Sequence, residues 1–556
     1  MGNRFAARPG VCSTVGRFEL AALAIVAIAA ALRVWGLDAG LPHLMTRPDE
    51  ELIVLQTRLP ASGIFDLTWP GLHPGIPSAY IYLLWVWGEL GLPILQLAGA
   101  APAGDYLTVL QDFPDRLLLA ERFFSACAGT ATVAVLIWVA RRELGSKVAI
   151  LAGLILAVSV FHVRDSHSAK PDIALGLFTI LALGLLAPLA RALTRRGAAV
   201  AGLAIGMAMA MKLPGVLLLL PAWVACMQGS AQTGWRRILP LEIFVLGGVA
   251  AIFFVATSPD FVFNAETAAR IMAIPGLAFP QISGSTVSDP AGAAGLASPR
   301  EWPGFLYHLE FSLRYALGLP AVFLLPFALV WGVFARDSIA TLCVIFFVTA
   351  YLVFGASPAL LSRYMTPLLP VVALLVAALV VAMLERVAAR RPRLRDTALL
   401  VCGLVLLQEP LMASLRFDRL MAVEDTRVTA HGWLREHTAH SDRIALSGAA
   451  LWFWGDPQIP AGREILRPGL RGDALHGAAA DYLVVHDHPL FSSVADWDAV
   501  AALGPSARLV AEFDPFVEGA GPVVYEAQDA FYLPTRGYQT VRAPGPLIRI
   551  YSLRDE

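Results

Sequence analysis

The sequence predicts a polytopic α-helical membrane protein of about eleven spans that ends in a small α/β domain, and three observations carry this reading. The chain is 57% hydrophobic with a mean hydropathy of +0.64, and only 15% of it is charged, far from soluble globular usage. Apolar windows near bilayer length recur from residue 18 to residue 413. Beyond them the tail turns less apolar and mixes a helical with alternating patterns. The formal net charge of −1 points to no particular partner, nucleic acid included, so what informs is where the arginines sit.

The first apolar run, Phe18 to Leu37, follows Arg4, Arg8 and Arg17, and no small-residue cleavage site comes after it; it predicts a retained first helix. Further windows lie at about 117–140, 147–161, 173–190, 197–211, 214–228, 239–257, 316–335, 338–356, 366–384 and 397–413, several of them short enough to be broken or tilted. The run from Ile76 to Ala98 is equally apolar, but threading it through a bilayer would put Arg141 and Arg142 on the side of the acidic cluster at 49–51. It therefore reads as an interfacial helix, with Tyr80, Tyr82, Trp85 and Trp87 as its aromatic belt. With that choice 17 basic residues, from Arg4 to Arg395, share one face, which the positive-inside bias makes cytoplasmic.

The opposite face then receives the first loop (38–116), the junction His162 to Asp172, the loop 258–313, the turn at Ser362 and Arg363, and the tail. The expectation is a multi-pass protein of the plasma (inner) membrane with a cytoplasmic N-terminus, a transmembrane domain over 1–413 and an extracytoplasmic α/β domain over 414–556. That tail holds a helical pattern from Thr429 to His437 and strand-like runs, DYLVVH and RLVAEF, in enough chain for its own core. Five cysteines, at 12, 127, 226, 343 and 402, imply no disulfide framework.

Polar groups recur at span ends on that face. The first set is RPDEE, where Asp49, Glu50 and Glu51 stand just past the first span; carboxylates beside a bilayer are costly unless they are used. Their plainer reading is a solvated helix start, since Pro48 suits a first turn and acids favour the positive end of the dipole, and Glu51 fits that reading best. The second set is FHVRDSHSAKPD, which places His162, Arg164, Asp165, His167, Lys170 and Asp172 at one junction; each alone could snorkel or cap, and Asp172 either caps the next helix or faces a cavity. The third is Lys212 before the break Pro214-Gly215, and the fourth is Ser362-Arg363-Tyr364, where a planar guanidinium suits a phosphate oxygen pair. Arg116 and Arg122 flank the second span and carry the same two readings. One acidic cluster facing several cations at membrane depth suits a lipid-linked phosphate combined with a proton-transfer step. The sequence holds no Walker loop, GxSxG, HExxH, CxxC pair or Rossmann fingerprint.

In order and position, these segments resemble the GT-C glycosyltransferases, in particular the family 39 branch of protein O-mannosyltransferases and lipid A aminoarabinose transferases. The resembling residues are Pro48-Asp49-Glu50, the GLHPGIPSAYIYLL segment with His73 and Tyr80, the Arg122 helix ending in ARRELGSK, RDSHSAKPD, MKLPG and RYMTPLLP, with HGWLREH and DYLVVH in the tail. The resemblance implies a GT-C bundle that inverts a sugar while moving it from a polyprenyl-phosphate donor to a lipid, glycan or protein acceptor of the cell envelope. It implies Asp49 as general base with Glu50 in support, and a donor phosphate bound by Arg363, Lys212, Lys170, His167 and Arg164. It implies a substrate cavity lined by His73, Tyr80, Arg122, Asp172 and Tyr364. No nucleotide or other cofactor is implied; a divalent cation could bind through Asp49 and Glu50, although no ligand set stands at metal-site spacing. Two other functions remain open, an oligosaccharide ligase or polymerase using lipid diphosphates and a polyprenyl-lipid flippase. A flippase would more often show internal repeats and mid-membrane charges.

Overall fold

The computed structural model describes residues 16–63, 76–259, 304–357, 360–387, 391–447, 452–467, 480–490, 493–519, 521–526 and 532–554. Among these, seven helices are long and apolar enough to cross a membrane, or nine if each of two bent pairs is one span. The expectation of about eleven counted apolar windows that fold as shorter pieces. The first helix, α1 (Arg17–Val34), carries Arg17, Glu19 and Arg33 within its 18 residues. The run after Lys212 opens as a 3-10 turn, Leu213–Leu218, before it becomes α-helical.

After α1 a short helix, α2 (Glu50–Gln56), follows the acidic cluster, and the segment read as interfacial forms α3 (Ser78–Leu97). By length and apolarity α3 could cross a membrane. Its side chains meet the N-terminal part of the 30-residue α4 (Pro114–Glu143): Trp87 Nε1 donates to the Ala120 carbonyl at 2.8 Å, and Tyr80 and Trp87 pack against Phe124.

A broken span comes next. Helix α5 (Ser146–Ala157) gives way to α6 (Val160–Ser166) at a bend of 60°, and α7 (Asp172–Leu189) restarts the climb. A helix break inside a bundle exposes carbonyls that hydrocarbon cannot satisfy. Arg33 of α1 supplies the donors: Nη1 reaches the Ala157 carbonyl at 3.1 Å, and Nη2 reaches Leu156 O at 3.2 Å and His162 Nδ1 at 2.9 Å. Close approach is required on the other side too, since a Cβ on Gly129 of α4 would lie 2.2 Å from Ser166 Oγ. The break therefore turns the polar run Arg164 to Asp172 into the bundle, where every residue of it is buried.

On the far side the 3-10 turn Ser362–Leu368 leads into α8 (Leu369–Val387), and α9 (Pro392–Met421) runs out of the bundle. The tail then folds as expected from its patterns, with α10 (Thr426–His437), DYLVVH forming β3 (Tyr482–Asp487) and RLVAEF forming β4 (Arg508–Phe513). Together with β1 (Arg443–Ser447), β2 (Glu464–Leu466) and β7 (Leu547–Ser552), these make a five-stranded sheet of order β2-β1-β3-β7-β4. The first three strands are parallel, and β7 is antiparallel to both of its neighbours. Alternate residues serve two cores: Ile444, Val484 and Ile550 pack under α10, while Ala445, Leu483 and Val485 face the helix Trp497–Ala501. A separate ribbon pairs β5 (Val524–Tyr525) with β6 (Pro534–Arg536).

Candidate active site

Where α2, the α6–α7 junction and the Ser362 turn converge, a small cleft is lined by Arg47, Arg164, Asp165, Ser168, Lys170, Asp172 and Arg363. Four cations thus face one small space. At its edge Asp49 Oδ2 lies 3.0 Å from Arg363 Nη1 and 3.9 Å from Lys170 Nζ. The Asp49 backbone is left-handed, with φ 74°, an uncommon place for a residue with a side chain. It occupies the N-cap position of α2, yet its side chain makes no capping bond. The solvated-helix-start reading therefore fails for Asp49, because its carboxylate turns away from its own helix and toward the cations.

The remaining groups brace this wall. Asp165 accepts from Arg164 Nε at 2.8 Å and from the Thr366 hydroxyl, and Lys212 Nζ lies 2.8 Å from Asp172 Oδ1 while sitting 5.5 Å from the Tyr364 ring centre. Burial pushes the Arg47 guanidinium down to about 10, which leaves it charged at neutral pH.

Residues 115–262 match the family model of dolichyl-phosphate-mannose-protein mannosyltransferases, about a quarter of the chain. The fold is similar to that of the oligosaccharyltransferase AglB from Archaeoglobus fulgidus, solved with an inhibitory peptide and a dolichol-phosphate: TM-score 0.51 at 13% identity, over 84% of this chain and 69% of that one. The chain thus has the fold of a GT-C glycosyltransferase. ArnT from Cupriavidus metallidurans in its apo state aligns over 95% of this chain and 97% of its own, with 15% identity and a TM-score of 0.49. Comparison with curated protein sequences finds no match.

Within this GT-C bundle the structure sorts the residues singled out from sequence. Asp49, Arg164, Lys170, Asp172 and Arg363 come together at the cleft; Lys212 joins it through Asp172, with the Tyr364 ring beside Lys212. Glu50 and Arg122 do not. They form a sealed pair behind the cleft, with Arg122 Nη2 at 2.6 Å from Glu50 Oε2, Nε at 3.2 Å from both oxygens, and the Ala169 N–H on Oε1 at 2.8 Å. Burial opposes charge on Glu50, but the Arg122 guanidinium outweighs it and holds the carboxyl below its ordinary range. Both Glu50 oxygens are thus spent on Arg122 and the Ala169 N–H. Among the described residues no three His, Cys, Asp or Glu side chains converge as a metal site.

Glu51 is not solvated. It is buried, and loss of hydration, with Asp49 and Glu50 close by, pushes its carboxyl up to about 7. His167 is packed away from the cleft, its ring nitrogens on the carbonyls of Val163 and Trp35 at 2.9 and 3.0 Å. Tyr80 is fully buried against Phe124. His73 lies outside the described residues. Sequence reasoning gave no role to Arg47, although it opens the RPDEE motif, nor to Ser168, which lines the cleft between two basic residues of the junction.

Proposed function

We propose that this protein transfers a sugar, with inversion, from a polyprenyl-phosphate donor to a hydroxyl of a cell-envelope lipid, glycan or protein, with Asp49 as the general base. The observation that carries the proposal is the convergence of Arg47, Arg164, Lys170 and Arg363 on one cleft, with the partly open Asp49 carboxylate at its edge. In the step, the acceptor oxygen forms a bond to the anomeric carbon while the carbon–oxygen bond to the phosphate breaks. The electron pair leaves with the phosphate and the acceptor proton passes to Asp49. A phosphate already leaves well, so the protein needs alignment, charge stabilisation and a base. Fixed, largely buried cations meet the charge developing on the phosphate without reorganising.

Asp49 and the phosphate compete for the same cations, Arg363 and Lys170. Donor binding therefore draws these cations off the carboxylate and leaves it open to the acceptor hydroxyl. The 17 basic residues of the opposite loops support an extracytoplasmic cleft, with the sheet domain on the same side. A dolichol-phosphate held by AglB, a protein of the same fold, supports a lipid phosphate as the donor.

The test incubates membranes containing the full chain with a panel of radiolabelled polyprenyl-phosphate sugars and one lipid diphosphate oligosaccharide. Label moving from a monophosphate donor is expected. Label moving only from the diphosphate would replace the donor assignment with that of an oligosaccharide ligase, and lipid crossing the bilayer with its sugar intact would replace transfer with transport.

A further inference from the structure

The cationic wall of the cleft is held from outside the helix bundle. Glu526, directly after β5 in the C-terminal domain, is 1% exposed and inserts its carboxylate beneath the wall. Its Oε2 accepts from Arg164 Nη1 at 2.8 Å and from Ser362 Oγ at 2.6 Å, and its Oε1 accepts from the Ser362 N–H at 2.7 Å. Arg164 Nη2 closes the triangle on Ser362 Oγ at 2.9 Å. Ser362 opens the 3-10 turn that carries Arg363, whose guanidinium reaches Asp49. Backbone N–H groups at a helix start have no partner within the helix, so a carboxylate there both satisfies a donor and suits the positive end of the turn. A buried carboxylate is tolerated only when paired, and these partners pair it fully.

We infer that Glu526 is a positioning residue for the transfer reaction: the C-terminal domain supplies the carboxylate that fixes Arg164 and the Ser362–Arg363 turn on the cleft wall. The inference rests on the function proposed above. It makes the sheet domain part of the active centre, because the cations that receive the phosphate stay in register only while Glu526 is seated. The isosteric Glu526→Gln change probes this with little change in volume. Both oxygens of Glu526 accept, so whichever way the amide turns, its NH2 faces either the Ser362 N–H or Arg164 Nη1.

The experiment measures kcat and KM for a labelled donor that the wild-type protein uses, with thermal unfolding in detergent as the check on folding. Glu526→Gln is expected to lower kcat/KM for the donor roughly 10- to 100-fold, mostly through a higher donor KM, with the acceptor KM unchanged. Glu512→Gln, which breaks the surface pair with Arg549 in the same domain, is expected to change none of these. Ser362→Ala removes only the hydroxyl corner of the triangle. It should raise donor KM by less, and the double variant should lose less than the product of the single losses. If Glu526→Gln folds poorly, Ser362→Ala alone decides, and an unchanged donor KM overturns the inference. So does a folded Glu526→Gln protein with wild-type kcat/KM. Failure of the wild type to move any label overturns the proposed function itself, which sets the two failures apart.

Discussion

Asp49 with Arg363 and Glu50 with Arg122 are the same chemical pair set one residue apart in the chain, but they occupy two different regions. The Glu50 and Arg122 side chains are 0% and 1% exposed, whereas those of Asp49 and Arg363 are 22% and 10% exposed. Arg122 spends every arm on protein: Nη1 reaches the carbonyls of Leu37 and Ala39 at 3.2 and 2.9 Å, and Nη2 also reaches Thr46 Oγ1 at 3.2 Å. It thereby ties the first loop and α2 to α4 and sets where the Asp49 turn sits. The comparison teaches that charge and position beside a membrane do not by themselves separate chemistry from scaffold. What separates them is whether the partner groups leave room for a substrate.

The comparison breaks first at Asp49. Asp49→Asn keeps the shape but cannot take a proton, so turnover should fall roughly 10²- to 10⁴-fold while thermal unfolding in detergent stays at the wild-type midpoint. Wild-type turnover by that variant would remove Asp49 as the base. Arg122→Ala should do the reverse, because it strands the buried Glu50 carboxylate at a cost of about 3–5 kcal/mol, read as a lower unfolding midpoint and a loss of folded protein. Were Arg122→Ala to fold normally and fail only in catalysis, the sealed pair would belong with the cleft. Arg363→Ala falls between the two: the donor KM should rise roughly 10- to 100-fold with acceptor binding unchanged, since a charged donor group aimed at the phosphate is lost and little packing goes with it.

Much of this was legible in the sequence because membranes restrict what a chain can do. Carboxylates and cations at span ends are rare enough that Asp49, Arg164, Lys170, Lys212 and Arg363 draw notice as a set, though each alone could cap or snorkel, and the resemblance to GT-C proteins picks out the same residues. Which of three consecutive carboxylates would open onto the cleft was not legible. On a helix start each residue turns the next side chain by about 100°, and the outcome depends on the left-handed turn at Asp49 and on Arg122, 72 residues away from Glu50. The span count is open for a related reason, since windows of 15 to 17 apolar residues do not reveal whether a helix will bend, as α5 and α6 do among the described residues. Glu526 carried no signal at all: VVYEAQDA has neither motif nor period, and its partners lie 164 and 362 residues upstream.

Glu51 offers the finest test of the line between the two regions, because it stands next to the sealed Glu50 yet is near enough to Asp49 to feel its charge. Its carboxyl is raised from the ordinary 4.5 to about 7, chiefly by burial, so the folded protein holds a proton there that the unfolded chain has already released. The sign follows from that. Glu51 costs the fold nothing below pH 4.5, and its contribution becomes unfavourable as pH rises from 4.5 through about 7, where the folded form must either keep the proton or bury a charge. After a discount for residual contact with solvent, the loss across that window is about 1–2 kcal/mol. Glu51→Gln carries no titrating proton, so the difference in unfolding midpoint between variant and wild type should be small near pH 4.5 and grow in the variant's favour toward pH 7.5. A constant difference across the window would mean that Glu51 titrates like a solvated acid. A difference that grows but vanishes in the Asp49→Asn background would instead make the neighbouring charge the dominant cause, and would assign Glu51 to the cleft and not to the scaffold behind it.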